Sequence, residues 1–183
     1  VPPRVDDEFT ITDTGGTTGA ARISPAHTGL GITTGAAHNV IDWSRRILLK
    51  VRFSIFVGGA GGISRINMGR VNTDAVGDLA VSGIGIRVTA LALVGQVHNG
   101  TTLTNTATLA TLVADTVYDL LIISRGNGTV EWFLNGVSIG TSAGGPSTAG
   151  AATNASIRLE SSAVTAAQHR AMVFQIQYAD LAA

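Results

Sequence analysis

The sequence predicts an all-β protein of two packed antiparallel sheets, and three observations carry that expectation. Apolar residues fill 45% of the 183 positions and charged residues only 13%, a composition that buries surface rather than remaining disordered. Short runs rich in Val, Ile, Thr and Phe recur roughly every 8 to 14 residues between Gly, Asn and Ser turns. Between those runs only 163–170 suggests a helix, of one or two turns. Strands that follow one another without helices form sandwiches or barrels. At this length one domain over 1–183 is expected, with 1–7 as an extended N-terminal arm.

Taken in order, 8–12 alternates polar and apolar residues, and β-like character resumes near 21–23 after a Gly/Thr turn. Arg46–Val57, RILLKVRFSIFV, is the clearest strand: Leu49, Val51, Phe53, Ile55 and Val57 take alternate positions, with Leu48, Lys50, Arg52, Ser54 and Phe56 between them. Glycines at 58, 59, 61 and 62 turn the chain into a paired strand at 65–71. Segments 83–88 and 90–97 are two further strands, and His98, Asn99 and Gly100 close the second. A Thr- and Leu-rich strand runs from 101 toward a loop near 114. Then 118–124, 129–134 and 137–139 form a meander whose turns are Arg125–Gly128 and Asn135–Gly136, the latter a type I′ signal. Strands at 156–160 and 171–178 complete the chain. The expected core comprises Leu49, Val51, Phe53, Ile55, Leu121, Ile123, Val130, Trp132, Val173 and Ile176.

The stretch YDLLIISRGNGTVEWFLNGVSIG at 118–140 resembles the concanavalin A-like jelly-roll superfamily, laminin G-like and pentraxin-like domains in particular. The resemblance rests on Gly126, Gly128, Trp132, Phe133, Asn135 and Gly136, and the 46–70 hairpin and the closing strand are similar to their counterparts there. It implies a two-sheet jelly-roll sandwich; it does not carry a function with it.

Composition narrows the function classes. Twelve basic residues balance twelve acidic ones, eleven of the basic ones being Arg with Lys50 the single lysine, so neither nucleic acid nor an anionic membrane surface is an expected partner. No apolar run approaches the roughly 20 residues needed to cross a bilayer. The absence of Cys excludes disulfides and thiolate chemistry. A start at Val1 without a signal-like segment suggests a processed or trimmed end.

Catalytic constellations are not evident in the sequence. Glycosidase carboxylates must flank one bond about 5 to 9.5 Å apart, whereas Glu131 and Glu160 each stand alone and Asp115 and Asp119 bracket a strand start. His27, His38, His98 and His169 are scattered without metal-ligand spacing and read as loop or surface residues. These observations lead to the expectation of a protein that is not an enzyme and needs no cofactor. Calcium is the one ion considered, because relatives of the resembled fold hold it in loops and Asn72, Asp74 and Asp78 offer hard oxygen ligands. For sugar stacking the candidate is Trp43, with Asp42 and Arg45 beside it.

The leading functional expectation is an extracellular or virion-surface jelly-roll protein, such as a phage structural, capsid-decoration or tail-appendage protein, with self-association or neighbouring structural subunits as partners. The absence of active-site residues and of Cys, the near absence of Lys and the abundance of Ala, Thr, Gly and Val motivate it, and sparse charge with two-sided apolar strands motivates the self-association. A surface glycan or receptor is the further possible partner. The alternatives are a free lectin-like carbohydrate-binding module and a glycoside hydrolase with an atypical site.

Overall fold

The computed structural model describes residues 4–5, 9–13, 19–23, 42–57, 63–69, 77–148, 156–162 and 169–181. Every regular element among them is a strand: β1 Arg4–Val5, β2 Phe9–Asp13, β3 Gly19–Ile23, β4 Arg46–Val57, β5 Ile63–Gly69, β6 Gly83–Thr89, β7 Ala92–His98, β8 Leu103–Thr111, β9 Val117–Ser124, β10 Val130–Leu134, β11 Val137–Ser142, β12 Ser156–Ser162 and β13 His169–Leu181. They build two antiparallel sheets. The seven-stranded one runs β1-β13-β4-β9-β10-β11 with β2 also on β13, and the six-stranded one runs β3-β12-β5-β6-β7-β8. This is a jelly-roll sandwich. Of the expected helix, 163–168 lie outside the described residues and His169 and Arg170 begin β13. Within the expected N-terminal arm, Arg4 and Val5 pair with Gln177 and Ile176 of β13.

The period of two in β4 sets the core as expected: Ile47, Leu49, Val51, Phe53 and Ile55 are buried on one side. Facing them from the other sheet are Ile66 and Met68 of β5, Ile84, Ile86 and Val88 of β6, and Leu93 and Val97 of β7. Trp132 bridges the two layers. Its Nε1–H donates to the Gly85 carbonyl at 3.1 Å, and a Cβ on Gly95 would lie 2.7 Å from its ring, so the absence of a side chain there makes room for the indole. Asn135 and Gly136 have φ of 51° and 81°, as the expected turn requires.

One phase assignment is corrected. Leu120 and Ile122 are buried, while Leu121 and Ile123 are half-buried and point away from the core. YDLLIIS is apolar in both phases, so alternation cannot orient it; the pairing of Leu49 with Ile122 and Val51 with Leu120 does. The side chains of Val173 and Ile176 lie outside the described set.

Candidate functional site

The faces that point away from the core differ between the sheets, and the six-stranded sheet carries the denser chemistry. Its β5, β6 and β7 are apolar on the core side, so every second residue must face the other way. Among those residues are Arg65 and Asn67 on β5, Gly83, Gly85 and Arg87 on β6, and Val94, Gln96 and His98 on β7. Register aligns them in rows across the strands. Asn67 stands opposite Gly85, Gly85 opposite Gln96, and Gln96 opposite Asn105 of β8. On one side of that row Arg65 opposes Arg87, and on the other Gly83 opposes His98. The same register brings Arg158 and Glu160 of β12 opposite Asn67 and Arg65.

A polar row on the outside of a sheet ordinarily meets water, yet here it is enclosed. Arg65, Asn67, Gln96 and His98 are all buried, Asn67 and Gln96 to 1% exposure or less. Part of the cover is the segment leading into β6: Leu79 is buried and would meet a Cβ on Gly83 at 2.8 Å. Asp78 from the same segment lies between the two opposed arginines. Arg65 Nε donates to Oδ1 at 2.7 Å and Arg87 Nη1 to Oδ2 at 3.0 Å, which relieves the repulsion of like charges placed directly opposite each other.

Hydrogen bonding in the row is incomplete. Gln96 Nε2 donates to Asn105 Oδ1 at 2.9 Å, but Gln96 Oε1, both amide atoms of Asn67 and Arg87 Nε are buried without a hydrogen-bond partner. Unmet polar atoms of this kind cost about 1 to 3 kcal/mol each, so each calls for a polar partner, either water or a ligand. The missing side chain of Gly85 makes room for Asn67 itself, since a Cβ there would fall 2.1 Å from Asn67 Oδ1 and 2.5 Å from the Ile66 carbonyl oxygen.

Titration behaviour follows from the packing. Burial opposes the charge of Asp78, but hydrogen bonds from Arg65 and Gln96 and the charges of Arg65 and Arg87 outweigh it, so the carboxyl lies below the usual aspartate range. Burial pushes His98 below the usual histidine value. Its Nδ1 accepts the Gly100 N–H at 3.0 Å, so the neutral ring carries its proton on Nε2 and offers a donor. His98 is therefore a buried strand residue, contrary to its expected place in a surface loop; sequence alone could not show that its side chain is enclosed. His27 and His38 lie outside the described residues, as does the side chain of His169.

The other expected site residues fare differently. Trp43 is 1% exposed and belongs to the core, so it has no free face for a sugar ring. Asp42 and Arg45 shape the turn before β4: Asp42 Oδ1 accepts from Ser44 N and Oγ at 3.0 and 2.6 Å, and Arg45 Nε approaches Asp42 Oδ2 at 3.3 Å. Tucking a large aromatic under a sandwich rim gains more than exposing it, and this outweighs the stacking role. Asn72 and Asp74 lie outside the described residues. Asp78, the third expected calcium ligand, is bound by two arginines and is not arranged for a cation. No group of three or more His, Asp or Glu suited to a metal occurs among the described residues.

No family model and no curated protein sequence matches the chain. Solved structures do. An endo-β-1,4-glucuronan lyase from the fungus Trichoderma reesei is similar with a TM-score of 0.62 and 11% identity, over 99% of this chain and 87% of that one. Alginate lyase A1-II′, of polysaccharide lyase family 7, is similar with a TM-score of 0.60 and 14% identity, over 94% and 78%. A botulinum neurotoxin type C structure, whose cell entry depends on two ganglioside molecules, gives 0.57 and 13% over 96% of this chain and 40% of its own. The chain thus spans about two-fifths of the length of such toxin chains. These likenesses show the jelly-roll sandwich fold and agree with the concanavalin A-like resemblance. They also correct the expectation of a protein outside enzymology, because the two lyases are enzymes matched over most of their chains, and a sialidase is similar over 94% of this chain and 15% of its own; a scan for paired carboxylates alone does not exclude an enzyme. No helix among the described residues is long and apolar enough to cross a membrane.

Proposed function

We propose that the chain is a saccharide-binding jelly-roll protein acting outside the cell, and that the polar cluster of Asn67, Arg87 and Gln96 holds the sugar. The observation that carries this reading is the set of buried, unsatisfied atoms from three strands: a donor and an acceptor on Asn67, an acceptor on Gln96 and a donor on Arg87. Sugar hydroxyls both donate and accept, so one or two of them complete this mixed set where an apolar ligand would leave it unmet. The Nε2–H of His98, at the end of the same face, adds a donor. Similar structures that are polysaccharide lyases or act through gangliosides support the choice of ligand class.

The test is a glycan array followed by titration calorimetry with Asn67→Leu and Gln96→Leu, whose fold is checked by circular dichroism. Loss of binding by tenfold or more in folded variants, the cost of one lost charged or buried hydrogen bond of about 1.4 kcal/mol, is expected. Equal affinity in wild type and variants, or no retention of any glycan, would overturn the proposal.

The second reading is a self-associating subunit, including one on a phage particle. It draws on the low charge content and on the exposed Val113, Val117 and Val137. Sedimentation at rising micromolar concentration tests it: a species of constant monomer mass would dismiss it. A calcium requirement is a separate proposal that rests on Asn72 and Asp74, and unchanged melting in a chelator would dismiss that.

A further inference from the structure

Asp78 reaches its arginines from outside the sheet. Arg65 and Arg87 sit on neighbouring strands in direct register, and Asp78 arrives on the segment ahead of β6, giving one oxygen to each guanidinium. A guanidinium is a fork of several N–H donors suited to two-point binding of a carboxylate. For Arg87 the Asp78 contact uses Nη1, and Nε is left unmet. Side-chain exposure is 10% for Arg65 but 28% for Arg87 and 27% for Asp78, so the Asp78–Arg87 end of the cluster is reached from solvent. Next to Asp78, Gly77 has a φ of 138° and nothing within 4 Å of where a Cβ would stand; that side of the segment is open. The unsatisfied amides of Asn67 and Gln96 lie in the adjoining row. With Asp78 in place the three side chains sum to one positive charge. Arg158 and Glu160, opposite Asn67 and Arg65 on β12, carry opposite charges and add none.

We propose that the saccharide recognised here bears a carboxylate, and that Asp78 is a built-in competitor occupying the carboxylate's place between Arg65 and Arg87. This inference rests on the saccharide reading above. An incoming uronate or similar acidic sugar takes over the arginine fork, gains the Nε donor of Arg87 that Asp78 leaves unused, and sets its hydroxyls against Asn67 and Gln96. Asp78 then turns toward solvent. Neutral sugars have nothing with which to displace it. The device gives selectivity for acidic chains and keeps two opposed arginines neutralised when the site is empty.

The experiment compares a β-1,4-linked glucuronate hexamer with cellohexaose, the same backbone without carboxylates, by calorimetry on wild type, Asp78→Asn and Arg87→Gln. Wild type should prefer the glucuronate. Asp78→Asn should bind it on the order of tenfold more tightly, the worth of one charge-assisted contact, with cellohexaose affinity unchanged. Arg87→Gln should erase the preference between the two. Equal binding of both hexamers by wild type leaves the saccharide reading standing and overturns this inference, as does a weaker or unchanged glucuronate affinity in folded Asp78→Asn. Binding of neither hexamer by any folded form overturns this inference, while the glycan array judges the broader reading separately. If Asp78→Asn does not fold, wild type against Arg87→Gln decides: a preference kept without Arg87 overturns the inference, and a preference lost supports it.

Discussion

The outward faces of the two sheets use similar residues under opposite conditions. On the six-stranded sheet an Arg–Asp contact of 2.7 Å is largely enclosed beside amides without partners. On the seven-stranded sheet Arg52 and Asp119 approach to 3.8 Å with both side chains about half exposed. There, Lys50, Asp119, Leu121, Phe133 and Asn135 line an open hollow of about 610 Å³, and Asn135 Oδ1 is satisfied by the Asp119 N–H at 2.9 Å. Polar groups on the open face are shared with water and specify little. On the covered face each must find a partner, so its unmet atoms call for a buried water or a polar ligand.

The largest expected effect measures how far inside and outside differ within a single sheet. Phe53 is fully buried and its ring centroid lies 6.0 Å from that of Tyr118, whereas Phe133 is only half-buried on the outward face. Phe53→Ala should lower the free energy of unfolding by about 3 to 5 kcal/mol. Phe133→Ala should lower it by less than about 1.5 kcal/mol, because the ring is already partly in water. Urea titration of both variants checks the pair, and similar losses would mean that the outward face is covered after all.

Next in size is the buried ion pair. Arg65→Ala leaves Asp78 without its shorter partner in a largely enclosed setting, and the cost should sit near the lower edge of about 3 to 5 kcal/mol because Asp78 retains some solvent. Replacing Arg65 with Met, which keeps the stem's packing, should recover part of that loss. A cost for Arg65→Ala below about 1 kcal/mol would show that the cluster is as wet as the open face.

Acid should act on the covered face through two groups. Asp78 has a lowered folded-state pKa, so its stabilisation is complete above the unfolded value of about 3.9 and is lost as pH falls through the folded one. His98 is also lowered, so the unfolded chain takes its proton first and stability declines as pH drops below about 6.5. Thermal melts from pH 8 to pH 3 should show both declines. Asp78→Asn should remove the lower and His98→Gln the upper; persistence of the upper decline in His98→Gln would assign it to another group.

How much of this was legible beforehand depends on where neighbours come from. Arg46–Val57 and the Asn135–Gly136 turn declare themselves, because alternation and positive φ are local properties. The phase of β9 is not local, as Leu120 through Ile123 are all apolar and only pairing with β4 orients them. The site was hidden for the same reason. Arg65, Arg87 and Gln96 are far apart in the chain and are joined only by register, and Asp78 covers them from a segment that reads as a solvated turn. A local trace did exist: Arg65 and Asn67, and again Gln96 and His98, are polar pairs two apart within apolar strands, a pattern that puts both members on one face. Trp43 misled because an aromatic beside Asp and Arg suits either a stacking platform or a rim closure, and burial alone separates the two.

The smallest expected effect tests the open face by itself. Arg52 and Asp119 are cross-strand neighbours on β4 and β9, but their separation and exposure leave the pair in high dielectric, where holding two side chains in one geometry offsets most of the attraction. A double-mutant cycle with Arg52→Ala and Asp119→Ala should therefore give a coupling of about 0.2 to 1 kcal/mol at low salt. At 1 M salt the screening length falls to about 3 Å, and the coupling should vanish. The Arg65–Asp78 pair, treated in the same way, should keep more of its coupling, since its shorter contact and the low exposure of Arg65 leave it less screened. Equal salt sensitivity in the two cycles would erase the distinction between the faces and, with it, the reason for placing the ligand on one of them.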